Sequence, residues 1–589
     1  MPVETHRGLE LEIPYRAMTG PLVKGRPPLK WLDHVTWIPV LMVIGLLVAP
    51  MAVTCAQAFT GNPLRNFVEL FSDPDSRRAM LNTGVWIIIA LALVVVSLCI
   101  AWISRALNVW GPPLMIVLVL PFGASALASG AALRLIFDPT PERGTLSALW
   151  AALFHRSPMW LGPGLIWLVL ILSFSWTWLG FAVSLFRAGL STIDEDVLRR
   201  QRVEGARLLA QLKTQLKMLL PIGALILLTL TVAATRLFDL VLITVPGSLQ
   251  DEVATVSVYW WRYTGSHPDN PGGLAAIALV HFVFLGGLAL GLTRVMSMRR
   301  GVTTSPPRWW EERQTFFFGV NTPWWGIALG LLIGFLWAFP VLTLVVTGLR
   351  SPTDAGALGW WRLDEAGLSL ASVRQAWPTL AGSIASTLTV SAATTVLVVG
   401  MGFFAARTLV LLSRPSLTNF LVALLTVLSV APVQMYAIPL RDAFKVLNLE
   451  GSELTLIFVH AAAALPLATL ILRAALANAP DSLSIDALRG QTRASTALRR
   501  IWADAGSALV AIAVIEFVLV WNDFIIGFLI SGPGTNPLTL VLWGEARQFG
   551  TSAGTVAASA VISSVVPVLV LLLTWRRWVV PGLTGGVTR

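Results

Sequence analysis

"LFDLVLITVPGS" (237–248) and "WNDFIIGFLISGPGT" (521–535) are two versions of one pattern: an Asp beside an aromatic residue, an apolar run, then Pro and Gly. Asp239 and Asp523 lie 284 residues apart, and the charged segments that precede them, marked by Asp194 and Pro480, are offset by nearly the same amount, 286 residues. In a chain of 589 residues, this offset implies two halves of similar length built in the same order.

Composition places both halves in a membrane. Hydrophobic residues make up 56% of the chain and charged residues only 12%, with a mean hydropathy of +0.75, whereas a soluble domain carries about 25% charged residues. The 42 Lys and Arg exceed the 31 Asp and Glu by 11. In a polytopic protein this excess belongs to loops facing anionic lipid, not to nucleic-acid binding. Cys55 and Cys99 both lie in apolar runs, and the six histidines are scattered without HExxH-like spacing, so neither a disulfide framework nor a metal site is expected. The apolar run after the basic first 32 residues is longer than a signal-peptide core, which predicts a retained N-terminus.

Hydropathy predicts twelve helical spans, near 35–57, 83–104, 114–136, 162–188, 216–245 and 272–296 in the first half, and near 324–347, 379–408, 416–441, 454–476, 506–530 and 553–578 in the second. Lys and Arg cluster before the first span, between the fourth and fifth (Arg199, Arg200, Arg202, Arg207, Lys213, Lys217) and after the sixth (Arg294, Arg299, Arg300). All three clusters fall on one side, which should be cytoplasmic and should hold both termini. The expected organisation is a cytoplasmic segment 1–34, a six-helix domain 35–298, a linker 299–323, a second six-helix domain 324–578 and a cytoplasmic tail 579–589. Two such units in the same orientation place a pseudo-twofold axis along the membrane normal, so that a translocation path can form between them. Gly326, Gly330 and Gly334 repeat every fourth residue and predict close approach of a neighbouring helix.

The charged loop ahead of span five has a helical pattern of its own. Leu209, Leu212, Leu216 and Leu219 recur at helical spacing while Arg200, Glu204, Arg207, Lys213 and Lys217 take other faces. Such an amphipathic helix either lies on lipid headgroups or docks into a soluble partner, with Gly205 permitting close approach.

A family resemblance bears on that choice. "IDEDVLRRQRVEGARLL" (193–209) resembles the cytoplasmic coupling loop of ABC importer permeases, with Glu204-Gly205-Ala206 matching its acidic-Gly-Ala step. "FSWTWLGFAVSLFRAGLSTI" (174–193), "LNLEGSELTLIFVHAAAALPLATLILRAAL" (447–476) and the ending "RRWVVPGLTGGVTR" (576–589) are similar to the carbohydrate branch, the two membrane subunits of maltose-type importers joined in one chain. The resemblance implies an all-α permease of about twelve transmembrane helices in two parallel six-helix repeats, in a bacterial inner membrane. It implies coupling through Arg199, Arg200, Gln201, Glu204, Gly205 and Ala206 in the first loop and Asp486, Ala487, Gly490 and Gln491 in the second. The implied partners are two copies of a cytoplasmic ABC ATPase and a periplasmic or lipid-tethered binding protein that delivers a sugar-like solute. No GxxxxGK[ST] phosphate loop occurs in the chain, which fits a transport subunit without its own ATP site and without a cofactor.

A sugar site in a membrane needs aromatic faces and a few hydrogen-bonding groups. The candidates on the solute path are Trp176, Trp178, Gln434, Tyr436 and His460, with core packing the alternative for the tryptophans and helix packing for His460. Asp239, Asn522 and Asp523 fall towards the outer ends of the two fifth spans. They are candidates for an outer gate, or alternatively helix-end residues bonded to backbone. Rival functions are a fused ABC permease for ferric iron, thiamine or a polyamine, and an ion-coupled secondary transporter, for which a buried midplane carboxylate would be expected.

Overall fold

The computed structural model describes residues 35–588 except 36, 107–110, 192, 194–199, 201–202, 205–207, 298–323, 366, 478–487, 489–492 and 548. Among these residues the chain is helical, without strands. Among the described residues, ten helices are long and apolar enough to cross a membrane. The first half contributes Trp37–Ala58, Pro74–Ser104, Ile166–Ser191, Ala210–Thr235 and Pro271–Arg294, and the second Trp324–Gly348, Ala371–Leu411, Glu453–Ala477, Ser495–Trp521 and Ser552–Thr584.

The remaining expected span of each half, 114–136 and 416–441, is not a straight helix. Pro113–Gly123 and Ala126–Ile136 meet at 107°, and Pro415–Ser429 gives way through a short 3-10 turn, Val433–Met435, to Ala437–Val446. Each break has a local cause. In the first half the helix tightens through Leu120–Gly123, Ala124 turns extended, and Ser125 caps the next helix by accepting from the Ala128 amide at 3.1 Å. In the second, Pro432 disfavours helix at Ala431 and cannot donate to the ladder. Non-helical backbone survives at membrane depth only where protein covers it. Phe122, Gly123, Val433, Gln434 and Met435 are accordingly buried.

The fifth spans differ from expectation in the same paired way. They end at Thr235 and Trp521 instead of running to 245 and 530, and the chain restarts as the short helices Asp239–Thr244 and Ile525–Ile530. In the second half the side chain of Asp523 takes up the amides of Ile526 and Gly527, at 2.9 and 3.1 Å, so the polar residue starts a new helix and ends the old one. At its other end span five of the first half is longer than expected. Leu208–Thr235 is one continuous helix through Pro221, so the described part of the amphipathic segment is an extension of that span, with Gln211, Gln215 and Leu219 buried and Lys213 and Lys217 exposed.

The halves exchange their first helices. Trp37–Ala58 packs on Pro271–Arg294 of its own half and also reaches Ala371–Leu411 and Glu453–Ala477 of the other, where Met42 sits in one apolar cluster with Val398, Ala461, Ala462 and Leu465. Trp324–Gly348 reciprocates, packing on the last span of its own half and on both arms of the broken first-half span. Gly326 and Gly330 are buried, and a Cβ on Gly334 would lie 3.6 Å from Leu114, so the four-residue glycine spacing does mark a helix contact. Two other glycines allow closer approach. A side chain on Gly180 would collide with the Leu118 carbonyl of the broken span, and one on Gly582, in the C-terminal "GLTGG", with the Ser507 carbonyl.

Candidate functional site

The breaks in the third spans and the ends of the fifth spans meet between the halves. Arg236, the residue after Thr235, donates from Nη2 to the carbonyl of Ala431 in the second-half break, at 2.7 Å. Asn522, the residue after Trp521, donates from Nδ2 to the carbonyl of Gly123 in the first-half break, at 3.1 Å. Each half thus uses the residue that ends its fifth span to hold the broken third span of the other. This reciprocity follows from the repeat, although the side chains differ.

An aromatic cluster fills the same seam. Phe238 of the first half lies 6.0 Å from both Phe524 and Phe528 of the second, and those two stack at 5.3 Å. Trp261 and Trp543 close the cluster edge-on, at 6.1 Å from Phe528 and 5.8 Å from Phe524 respectively. Around it stand polar groups from both halves. Arg236 interacts electrostatically with Tyr436 and Asp523, and Asp239 with Asp523. His460 brings Nε2 to 3.8 Å from Asp523 Oδ2. Gln434 and Tyr436 are buried in the break itself.

The sequence-derived candidates therefore separate into two groups. Gln434, Tyr436, His460, Asp239, Asn522 and Asp523 gather at the seam. Both carboxylates also bond to backbone: Asp239 Oδ1 accepts from the Leu240 amide at 2.9 Å, and Asp523 caps the short helix described above. Trp176 and Trp178 make none of these contacts. Trp176 is buried, with Nε1 donating to the Trp337 carbonyl of the second half at 2.8 Å. Trp178 packs edge-on against Phe122 and Phe181, at 5.4 and 6.0 Å. Sequence reading passed over Arg236, His281, Phe238 and Phe524. The two aromatics flank the repeated Asp, and Arg236 and His281 are ionisable residues within expected spans, a signal of function in its own right. Among the coupling-loop candidates, Arg200 and Glu204 are described and exposed, whereas Arg199, Gln201, Gly205, Ala206, Asp486, Ala487, Gly490 and Gln491 lie outside the described residues. Leu488, within the second loop, is buried and its carbonyl accepts from Arg407 Nε at 2.5 Å.

At the end of the first half away from these loops, a cleft of about 780 Å³ opens among Arg65, Glu69, Asp73, Tyr259, Arg262 and Tyr263. The Tyr259 hydroxyl donates to Asp73 Oδ2 at 2.7 Å, tying the helix Val256–Ser266 to the start of the second span. Burial, with the nearby carboxylate adding to it, raises the pKa of this phenol above its ordinary value.

No family model matches the chain. Several curated proteins do. An uptake permease for osmoprotective compounds from Synechocystis is 26% identical over 268 residues, covering 44% of this chain and 89% of the relative. A trehalose transport permease from Mycobacterium tuberculosis is 26% identical over 200 residues, 33% of this chain and 72% of the relative. An alpha-glucoside transport permease from Rhizobium meliloti is 24% identical over 239 residues, 39% of this chain and 69% of the relative. Among solved structures, a bacterial alginate ABC transporter bound to its periplasmic protein matches with 16% identity and a TM-score of 0.41, over 46% of this chain and 94% of the matched one.

The helical repeat and these relatives define the class: a multi-pass membrane protein whose sequence is similar to the permease subunits of solute transport systems. More particularly, each relative accounts for less than half of the chain, while most of the relative's own length is covered, which is consistent with two permease-length units in one polypeptide.

Proposed function

We propose that this chain forms the membrane path of an ATP-driven importer for a sugar or related polyhydroxylated solute. The observation that carries the reading is the polar, aromatic seam in which each half holds the broken span of the other, since two parallel units meeting in this way form a path on their common axis. The permeases for trehalose, alpha-glucosides and osmoprotective compounds among its relatives support the solute class. Asp239, Asn522 and Asp523, with Arg236 and the aromatic cluster, form the outer closure. Gln434, Tyr436 and His460 line the path behind it, and Trp176 and Trp178 hold the helices around it. Arg199–Ala206 and Asp486–Gln491 receive two copies of a cytoplasmic ATPase, one for each half, and a binding protein delivers solute to the opposite face. The linker 299–323 and both termini are then cytoplasmic.

Proteoliposomes holding the chain, its ATPase and its binding protein test this directly. Uptake of labelled trehalose, sucrose or maltose should require ATP and should stop when the phosphate-loop lysine of the ATPase is replaced. Uptake driven by an ion gradient without the ATPase would overturn the reading in favour of a secondary transporter.

A further inference from the structure

Among the described residues, Gln434 and His281 are the side chains in which two polar atoms are buried without a hydrogen-bond partner: Nε2 and Oε1 of Gln434, and Nδ1 and Nε2 of His281. Both residues are 3% exposed. A buried amide or imidazole with no partner is costly, and each such group in a folded protein requires a cause. The two residues belong to opposite halves but to elements in contact. His281 sits within Pro271–Arg294, which packs against the turn Val433–Met435 that carries Gln434, with Ile277, Ala278, Val433 and Tyr436 in one apolar cluster. Arg236 interacts electrostatically with His281 and donates to the carbonyl of Ala431, three residues before Gln434. Two unpartnered polar side chains thus lie on elements that pack together at one cross-half junction.

We propose that Gln434 and His281, with Arg236 beside them, form a binding site for a neutral hydroxyl-bearing solute. The inference rests on the seam being the solute path. The donor and acceptor inventory sets the ligand class. The Gln434 amide offers both a donor and an acceptor, and neutral imidazole one of each. That combination suits hydroxyls, which give and take a hydrogen bond, and does not suit an anion, which only accepts. Asp523 interacts with Arg236 and Asp239 with Asp523, so two carboxyl groups stand against one guanidinium in this network and an acidic sugar is disfavoured.

The test uses the full-length chain in lipid nanodiscs, with Gln434→Met and His281→Leu as shape-conserving variants and thermal melting as the readout. If the polar atoms lack partners in the empty protein, both variants should melt at or above the wild-type temperature. A drop of several degrees in either would mean that its polar atoms are structurally paired, and would overturn the site. Trehalose, sucrose and maltose are then added to wild type, with the double variant as the control for general stabilisation by sugars. At least one should raise the wild-type melting temperature beyond that control, each single variant should need about tenfold more sugar for the same shift, and glucuronate should give no specific shift. No specific shift with any neutral sugar, equal shifts in the variants, or a shift with glucuronate alone would refute the proposal. Sugar uptake that continues unchanged in the variants would remove this site while leaving the ATP-driven function standing.

Discussion

Replacing Asn522 with Leu should loosen the outer closure without unfolding the chain. The amide donates from Nδ2 to the Gly123 carbonyl across the seam at 3.1 Å, and a side chain of similar size keeps the packing while deleting that bond. A neutral hydrogen bond between partly buried groups contributes about 0.5–1.5 kcal/mol, and stranding its acceptor costs about 1–3 kcal/mol. The closed state should therefore lose roughly 1–2 kcal/mol relative to the open one, a shift of about 5–30-fold in their ratio. The assay is the labelling rate of a single thiol at Gln434→Cys, with Cys55 and Cys99 changed to Ser, by a membrane-impermeant maleimide added from outside. Gln434 is only 3% exposed, so labelling depends on opening. Asn522→Leu should speed labelling by about 5–30-fold. Arg236→Gln, which weakens the reciprocal bond to Ala431, should speed it further, with the two effects adding if the latches are independent. Unchanged labelling in the double variant would show that these bonds do not close the path.

Other parts of the account yield shorter tests. Gly205→Trp should abolish solute-stimulated ATP hydrolysis in the assembled complex while leaving the amount of folded chain unchanged; full stimulation would remove that segment from coupling. Gly180→Leu should prevent folding in membranes, because the new side chain meets the Leu118 carbonyl, and a normally folded variant would contradict that packing. Asp523→Ala removes the acceptor for two amides and should cost about 1 kcal/mol, seen as a lower melting temperature; no change would mean the short helix does not depend on this cap. The Tyr259–Asp73 tie makes a pH prediction. Because the folded phenol titrates above its ordinary value of 10.0, its stabilisation is complete below that pH and fades as the pH rises through the raised value. Tyr259→Phe should erase that alkaline component of the melting profile, and a profile identical to wild type would show that the tie contributes nothing.

The repeat was legible because its marks are local: an Asp beside an aromatic, an apolar run, Pro and Gly, with charged loops at a matching offset. Ten of the twelve spans could be read from hydropathy for the same reason. The two broken spans could not, since "LPFGAS" and "VAPVQM" keep enough apolar residues not to interrupt a hydropathy window, and hydropathy does not distinguish a helix from buried irregular backbone. The fifth spans were drawn too long because Leu240–Ile243 and Ile525–Ile530 continue the apolar run, while in the second half the break comes where the Asp523 side chain takes up backbone amides. Within the candidate site, polar residues in apolar surroundings stood out, which is why Gln434, Tyr436, His460 and Asp523 were found. Phe238 and Phe524 did not stand out, because an aromatic residue in a membrane helix has no signature until its neighbours are known. Trp176 attracted notice for its ring, yet its Nε1 bond to the Trp337 carbonyl is a tertiary contact that only the fold reveals.

The central claim is that the two halves part along this seam when the ATPase acts. Spin labels at Ser248 and Thr535, just beyond the short helices that follow Asp239 and Asp523, would measure the seam by pulsed distance spectroscopy in the assembled complex, with and without ATP trapped. The account predicts a distance that lengthens when ATP is trapped and returns after hydrolysis. A distance that stays fixed through the cycle, while solute is still imported, would contradict it.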